Sequence, residues 1–219
     1  MYSNKLVYLV LLLGMKKEIK KPSKTPVAVN TSKKESVKFW QRKYFFEGLI
    51  FVFSFVLYAN SIGNNYNMDD ELVTINHRLT SKGISSIPEI FSSPYYQDAS
   101  GYSYEYRPIV LVTFAIEYQF FGDNAHVSHF INVLLYSLMC VILLKVLTLL
   151  LYEYSVYFSV AISLLFAAHT AHTEVVSSIK NRDEILGLIF SLLAFLSAIR
   201  YIIRPVSYTH LTLPTNREV

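Results

Sequence analysis

Several things are scarce in this chain of 219 residues, and each scarcity removes a class of protein. Cys140 is the single cysteine, so no disulfide forms within the chain. No segment recurs at a period of about 20–50 residues, which removes solenoids and propellers. His169 and His172 lack the H-E-x-x-H arrangement and have no evident third ligand, so they do not indicate a zinc site. The apolar run Leu6–Gly14 resembles a signal-peptide core, but lysines follow it where a cleavage site would need small residues. Charge is scarcest in four stretches. Tyr154–Ala168 has none, Phe130–Leu151 only Lys145, Ile185–Ile203 only Arg200, and Tyr44–Ile62 only Glu47. The helices of a soluble bundle would carry a polar stripe, and these runs do not.

What is abundant is apolar surface. Hydrophobic residues make up 53% of the chain and aromatic residues 15%, against roughly 45–50% apolar in an ordinary soluble domain even with glycine counted. A membrane-crossing helix needs about 20 mostly apolar residues. Three of the four runs meet that length, and Tyr154–Ala168 approaches it when extended to Ala171. The expected architecture is all-α, a polytopic bundle of four transmembrane helices. A net charge of +4 hides an asymmetry: residues 1–43 hold eleven of the twenty Lys and Arg, against Glu18 and Glu35. Basic residues before a first span hold that side in the cytoplasm, and such an arm needs no nucleic acid as partner. The expected order is a basic cytoplasmic arm at 1–43, a membrane region at 44–203 and a tail at 204–219. Residues 207–219 read as a cloning scar, and Met15 as a more ordinary start than Met1. Lys145 is expected to snorkel to the cytoplasmic interface.

With that orientation, residues 63–128 form a large extracytoplasmic loop. It carries eight acids against Arg78, Lys82 and Arg107. Ile109–Phe121 is too short to span and reads as an interfacial or re-entrant helix started by Pro108. The same outer surface gathers Asp69, Asp70, Glu71, Arg107, His126, His129, His169, His172, Glu174, Lys180, Arg182, Asp183 and Glu184. Adjacent carboxylates such as Asp69 and Asp70 suit a divalent metal, a general base beside a second acid, or an N-cap for a helix starting at Glu71. His169 and His172 are spaced to share a helical face with Glu174 near. Arg182 suits phosphate recognition or an ion pair with Asp183 or Glu184. A transporter and a non-catalytic membrane scaffold are the alternative readings of the same polar surface.

Taken in order, the acidic pair after the first helix, "YRP" (Tyr106–Pro108), "HFIN" (His129–Asn132), "HTAHTEVV" (His169–Val176) and "NRDEIL" (Asn181–Leu186) form a pattern. It resembles the GT-C-fold membrane glycosyltransferases, and among them the transmembrane, tetratricopeptide-repeat O-mannosyltransferases. The resemblance spans about 60–203. It implies the N-terminal part of a GT-C fold and an inverting transfer of a sugar, typically mannose. The donor would be a polyprenyl phosphate in the lipid bilayer, and the acceptor a protein or glycan hydroxyl at the extracytoplasmic face, periplasm or endoplasmic reticulum lumen. By matching position it makes Asp69 or Asp70 the catalytic residue of the acidic loop, which would deprotonate the acceptor or hold the acceptor or a divalent metal in place, that metal being an optional cofactor. Arg107, His129, His169, His172, Glu174, Arg182 and Asp183 become substrate-binding residues. The family's H-P-I-H-T-E reads His169-Thr170-Ala171-His172-Thr173-Glu174 here, without the proline, and its R-x-D reads Arg182-Asp183-Glu184. Members of the family carry more helices than four, so the 219 residues are expected to be a fragment, inactive alone.

Overall fold

The computed structural model describes residues 44–71, 73–74, 77–97 and 100–203. The basic arm and the tail after Ile203 lie outside the described residues. Eight helices are described: α1 (Phe45–Tyr58), α2 (Met68–Glu71), α3 (Ile87–Ile90), α4 (Pro108–Phe121), α5 (Ala125–Leu150), α6 (Val156–Ala167), α7 (His172–Ser177) and α8 (Arg182–Ile203). Single 3-10 segments follow α1 at Ala59–Gly63 and precede α3 at Thr80–Ser86. A two-residue antiparallel pairing, Tyr96–Gln97 with Ser103–Tyr104, is the one strand contact among the described residues. Of the described residues, those from 44 to 195 belong to one compact unit and α8 from Leu196 onward to a second.

Among the described residues three helices are long and apolar enough to cross a membrane, Phe45–Gly63, Ala125–Leu150 and Arg182–Ile202. The run expected to supply a fourth does so only in part. Helix α6 has 12 residues, which is roughly 18 Å against a hydrocarbon core of about 30 Å, and it stops at Ala167 without extending to Ala171. Helices α1, α5, α6 and α8 alternate in direction, and the contacts fix this. Glu47 at the start of α1 pairs with Lys145 near the end of α5 at 3.1 Å. At the other end His126 Nδ1 lies 2.9 Å from the Ile62 carbonyl, so α1 and α5 are antiparallel. Phe46 packs edge-on against Tyr157, while the Ala167 carbonyl accepts from the Tyr58 and Tyr136 hydroxyls at 3.1 Å each. Helix α6 therefore runs with α1. Arg182, opening α8, bonds to Asn132 and Ser128 near the start of α5, so α5 and α8 begin at the same end. The return between them is divided into α6 and α7.

Local chemistry explains the boundaries. Asn124 caps α5 with its side-chain oxygen, accepting from His126 N at 3.1 Å and Val127 N at 3.3 Å. Pro108 opens α4, and Gly122, at φ +63°, closes it. One core joins Ile50, Val133, Tyr136, Cys140, Val160, Val176 and Ile185 across α1, α5, α6, α7 and α8. A second joins Val73, Leu79, Ile90 and Tyr95 to Leu111, Phe114 and Ala115 of α4, with Ile179 and Leu186. The long first loop is thus a folded layer built on α4. Outward-facing Val56 and Leu165 remain 66% and 74% exposed, which is the surface a lipid environment covers.

Candidate active site

The acidic pair does not cap a helix at Glu71. Both aspartates lie inside the short helix α2, and they face different surroundings. Asp70 is wholly buried. Its Oδ2 accepts from Asn67 N at 3.0 Å, the backward reach of a capping box. Its Oδ1 accepts from Lys180 N at 2.8 Å and Ser178 Oγ at 3.3 Å. Asp70 therefore ties the first loop to the turn before α8. Asp69 is 61% exposed, and among the described residues its charged partner is the Lys180 ammonium at 3.1 Å. Lys180 thus holds both acids, Asp70 through its main chain and Asp69 through its side chain. Its position was visible in the sequence, but nothing in its spacing from Asp69 marks the pairing across 111 residues.

As arranged, these two acids do not fit a resident divalent ion. An ammonium already sits against Asp69, N–H and O–H donors take up both oxygens of Asp70, and no group of three His, Cys, Asp or Glu side chains converges among the described residues. Nor do His169 and His172 share a helical face. Helix α7 begins at His172, and exposed His169 sits in the preceding turn, where its Nδ1 accepts from Ala171 N at 3.2 Å. His172 Nδ1 lies 2.9 Å from the Tyr136 hydroxyl. The same imidazole also donates to the Phe166 carbonyl.

Arg182, expected at a phosphate, has no exposed surface at all. It donates to Asn132 Oδ1 at 2.7 Å, Glu117 Oε2 at 2.7 Å, Thr113 Oγ1 at 3.3 Å and the Ser128 carbonyl at 3.1 Å. It also lies 4.1 Å over the Phe114 ring. Glu117 accepts from Ser128 Oγ as well. This network joins α4, α5 and α8 and presents nothing to a ligand. His129 is buried too, with Nε2 3.3 Å from the Asn65 carbonyl and Nδ1 without a partner.

Arg107, unlike Arg182, stays within reach of solvent. It pairs with Asp183 and with Glu105, the latter at 3.0 Å, and stacks 5.3 Å from the Tyr95 ring centre. Glu105 adopts φ +55°, a strained conformation for a residue with a side chain, and stands at this ion cluster. Burial, then the Asp183 charge, pushes the Tyr95 hydroxyl well above its ordinary pKa, so it remains a neutral donor. Arg107, Asp183, Glu184 and His172 stand at one cleft of about 660 Å³, whose other lining residues include Val110, Met139, Phe166, Ile185, Leu188 and Phe190. A second cleft of about 620 Å³ lies between Gly63–Asn67 and Glu174, Ser177 and Ser178. Burial pushes the phenol of Tyr66, in that second lining, up to about 12.

Fold and site together define an all-α membrane bundle whose helix starts and loops build ionisable clefts at one end. Comparison with known proteins narrows the class. Protein O-mannosyl-transferase TMTC3 of Homo sapiens is 41% identical over 95 residues, covering 43% of this chain and 10% of the relative. Protein O-mannosyl-transferase Tmtc2 of Drosophila melanogaster is 30% identical over 152 residues, 68% of this chain and 16% of the relative. Protein O-mannosyl-transferase F38B6.6 of Caenorhabditis elegans is 28% identical over 148 residues, 65% of this chain and 21% of the relative. The family resemblance carried by the motifs is thereby shown. The chain spans about a tenth to a fifth of these relatives' own length. No family model and no solved structure matches it.

Proposed function

We propose that the full-length protein transfers a sugar, by likeness to its relatives mannose, from a polyprenyl phosphate to a protein hydroxyl at the extracytoplasmic face. One observation carries this reading: the cleft at the starts of α4 and α8 is walled by apolar side chains and mouthed by Arg107, His172 and Asp183. A donor with an isoprenoid tail and a phosphate head needs that combination, a greasy channel ending at a cation. The basic arm on the other side of α1 supports the orientation.

In the transfer, the acceptor oxygen bonds to the anomeric carbon as the bond from that carbon to the phosphate oxygen breaks. The electron pair leaves with the phosphate, and the configuration inverts. Asp69 is the base: it is the exposed member of the pair, whereas Asp70 is committed to holding two loops together. When Asp69 takes the proton, the Lys180 ammonium loses its anionic partner while the departing phosphate gains a negative charge, so positive charge remains where it is needed. Arg107 exchanges a carboxylate partner for the phosphate, a bidentate match for its guanidinium. An ion path has little to support it, since the charged pairs Glu47–Lys145 and Arg182–Glu117 neutralise themselves.

The test is Asp69→Asn and Asp70→Asn in the full-length protein, assayed for mannose transfer from a polyprenyl phosphate to a Ser/Thr peptide. Asp69→Asn is expected to lower turnover by about 10²–10⁴ with the fold intact, the ordinary range for a lost general base. Wild-type turnover in Asp69→Asn would sink this assignment.

A further inference from the structure

We propose that the cleft between Gly63–Asn67 and Glu174–Ser178 is the acceptor's seat, and that it takes an extended peptide segment. This rests on the transfer reading above. Helix α7 separates two clefts. His172 and Val175, three residues apart, line the apolar one, while Glu174 and Ser177, also three apart, line this one. One short helix thus stands between a lipid-suited groove and a polar groove, which is what two substrates of opposite solubility require at a single reaction centre.

The acidic pair stands at the edge of the polar cleft. Asp70 accepts from Asn67 N and from Ser178 Oγ, one on each wall, and Asp69 is its neighbour in α2. Beneath Asn65 the buried His129 donates from Nε2 to the carbonyl, leaving Nδ1 an acceptor with no partner. The lining offers the amides of Asn64 and Asn65, the hydroxyl of Ser177 and the carboxylate of Glu174. Side-chain amides both donate and accept, as a peptide backbone does. A volume of about 620 Å³ holds a few residues of extended chain. Of the charges near it, Lys180 offsets Asp69, and the remaining carboxylate, Glu174, disfavours acidic residues beside the modified hydroxyl.

The experiment uses the full-length protein in nanodiscs and a fluorescent Ser/Thr peptide, with binding followed by anisotropy in the absence of donor. Glu174→Gln and the double variant Asn64→Ala/Asn65→Ala alter exposed side chains, so both are expected to fold. Each should raise the peptide Kd about tenfold, the scale of one lost hydrogen bond to a charged group or of two neutral ones. The KM for the polyprenyl phosphate donor should stay within about twofold. The proposal is overturned if Glu174→Gln leaves the peptide Kd unchanged, if the wild type binds no peptide, or if it binds a free oligosaccharide more tightly. Peptide binding that weakens as expected in a protein that transfers no mannose would leave the cleft standing and remove the transfer reading instead.

Discussion

Replacing Arg182 by Met takes away the donors to Asn132, Thr113, Glu117 and the Ser128 carbonyl and leaves Glu117, itself 6% exposed, as a buried carboxylate with no cation. Breaking one side of a buried ion pair costs about 3–5 kcal/mol, because the remaining charge has lost both water and partner. Glu117→Gln is the mirror experiment: one hydrogen bond to the guanidinium survives, but a full positive charge stays buried. For a chain of this size such a loss corresponds to a fall in Tm of roughly 6–20 °C. Removing both charges in Glu117→Gln/Arg182→Met should recover a large part of it, since neither ion is then stranded. Thermal unfolding of the four proteins in one detergent gives the cycle. Single variants within about 3 °C of the wild type, or a double variant equal to the sum of the singles, would refute the network's role in holding α4 to α5 and α8.

Further outcomes follow from other sites. Asp70→Asn should destabilise by about 1–3 kcal/mol, because an amide NH₂ is set against one of the N–H donors that the carboxylate satisfies; unfolding of this variant beside Asp69→Asn separates the two aspartates. Gly83 has φ +67° and its missing Cβ would meet the Gln119 amide oxygen, so Gly83→Ala should cost about 1–3 kcal/mol, whereas Gly48→Ala, in the open on α1, should be neutral or mildly stabilising. His77 gives a pH dependence. Its Nε2 donates to the Tyr95 carbonyl at 3.1 Å and its Nδ1 accepts from Leu79 N and Thr80 N at 3.3 Å each, and burial holds its pKa below the ordinary value. The unfolded chain therefore binds this proton first, and stability should fall as pH drops below about 6.5. In His77→Gln that fall should be shallower, and an unchanged slope would exclude His77 as its source.

The helical bundle was legible because four long runs nearly free of charge leave few alternatives, and the first loop's helix α4 because Pro108 announces its start. The division of labour between Asp69 and Asp70 was not. It is set by Ser178 and Lys180, more than a hundred residues away, and sequence spacing carries no trace of such a contact. Arg182 misled for a related reason. The chemistry that suits a guanidinium to phosphate also suits it to Glu117, and only burial decides between them. Lys145 was read alone as a snorkelling residue, yet its partner Glu47 lay in plain view as the single charge of the first run. Pairing the two requires knowing that α1 and α5 are antiparallel.

The break between α6 and α7 joins fold to site. The sequence lacks the proline that the family places in this turn, yet the helix still ends at Ala167. Proline is one way to stop a helix; another is to give the freed carbonyls partners elsewhere, which apolar surroundings demand. Two hydroxyls, Tyr58 on α1 and Tyr136 on α5, converge on the Ala167 carbonyl. The Tyr136 oxygen also meets His172 at the first position of α7. The same tyrosine thus satisfies the end of one helix and fixes the start of the next. An unbroken helix would carry Glu174 and His172 round at 100° per residue along the axis of α6. The break resets that phase, so that α7 turns one side to each cleft.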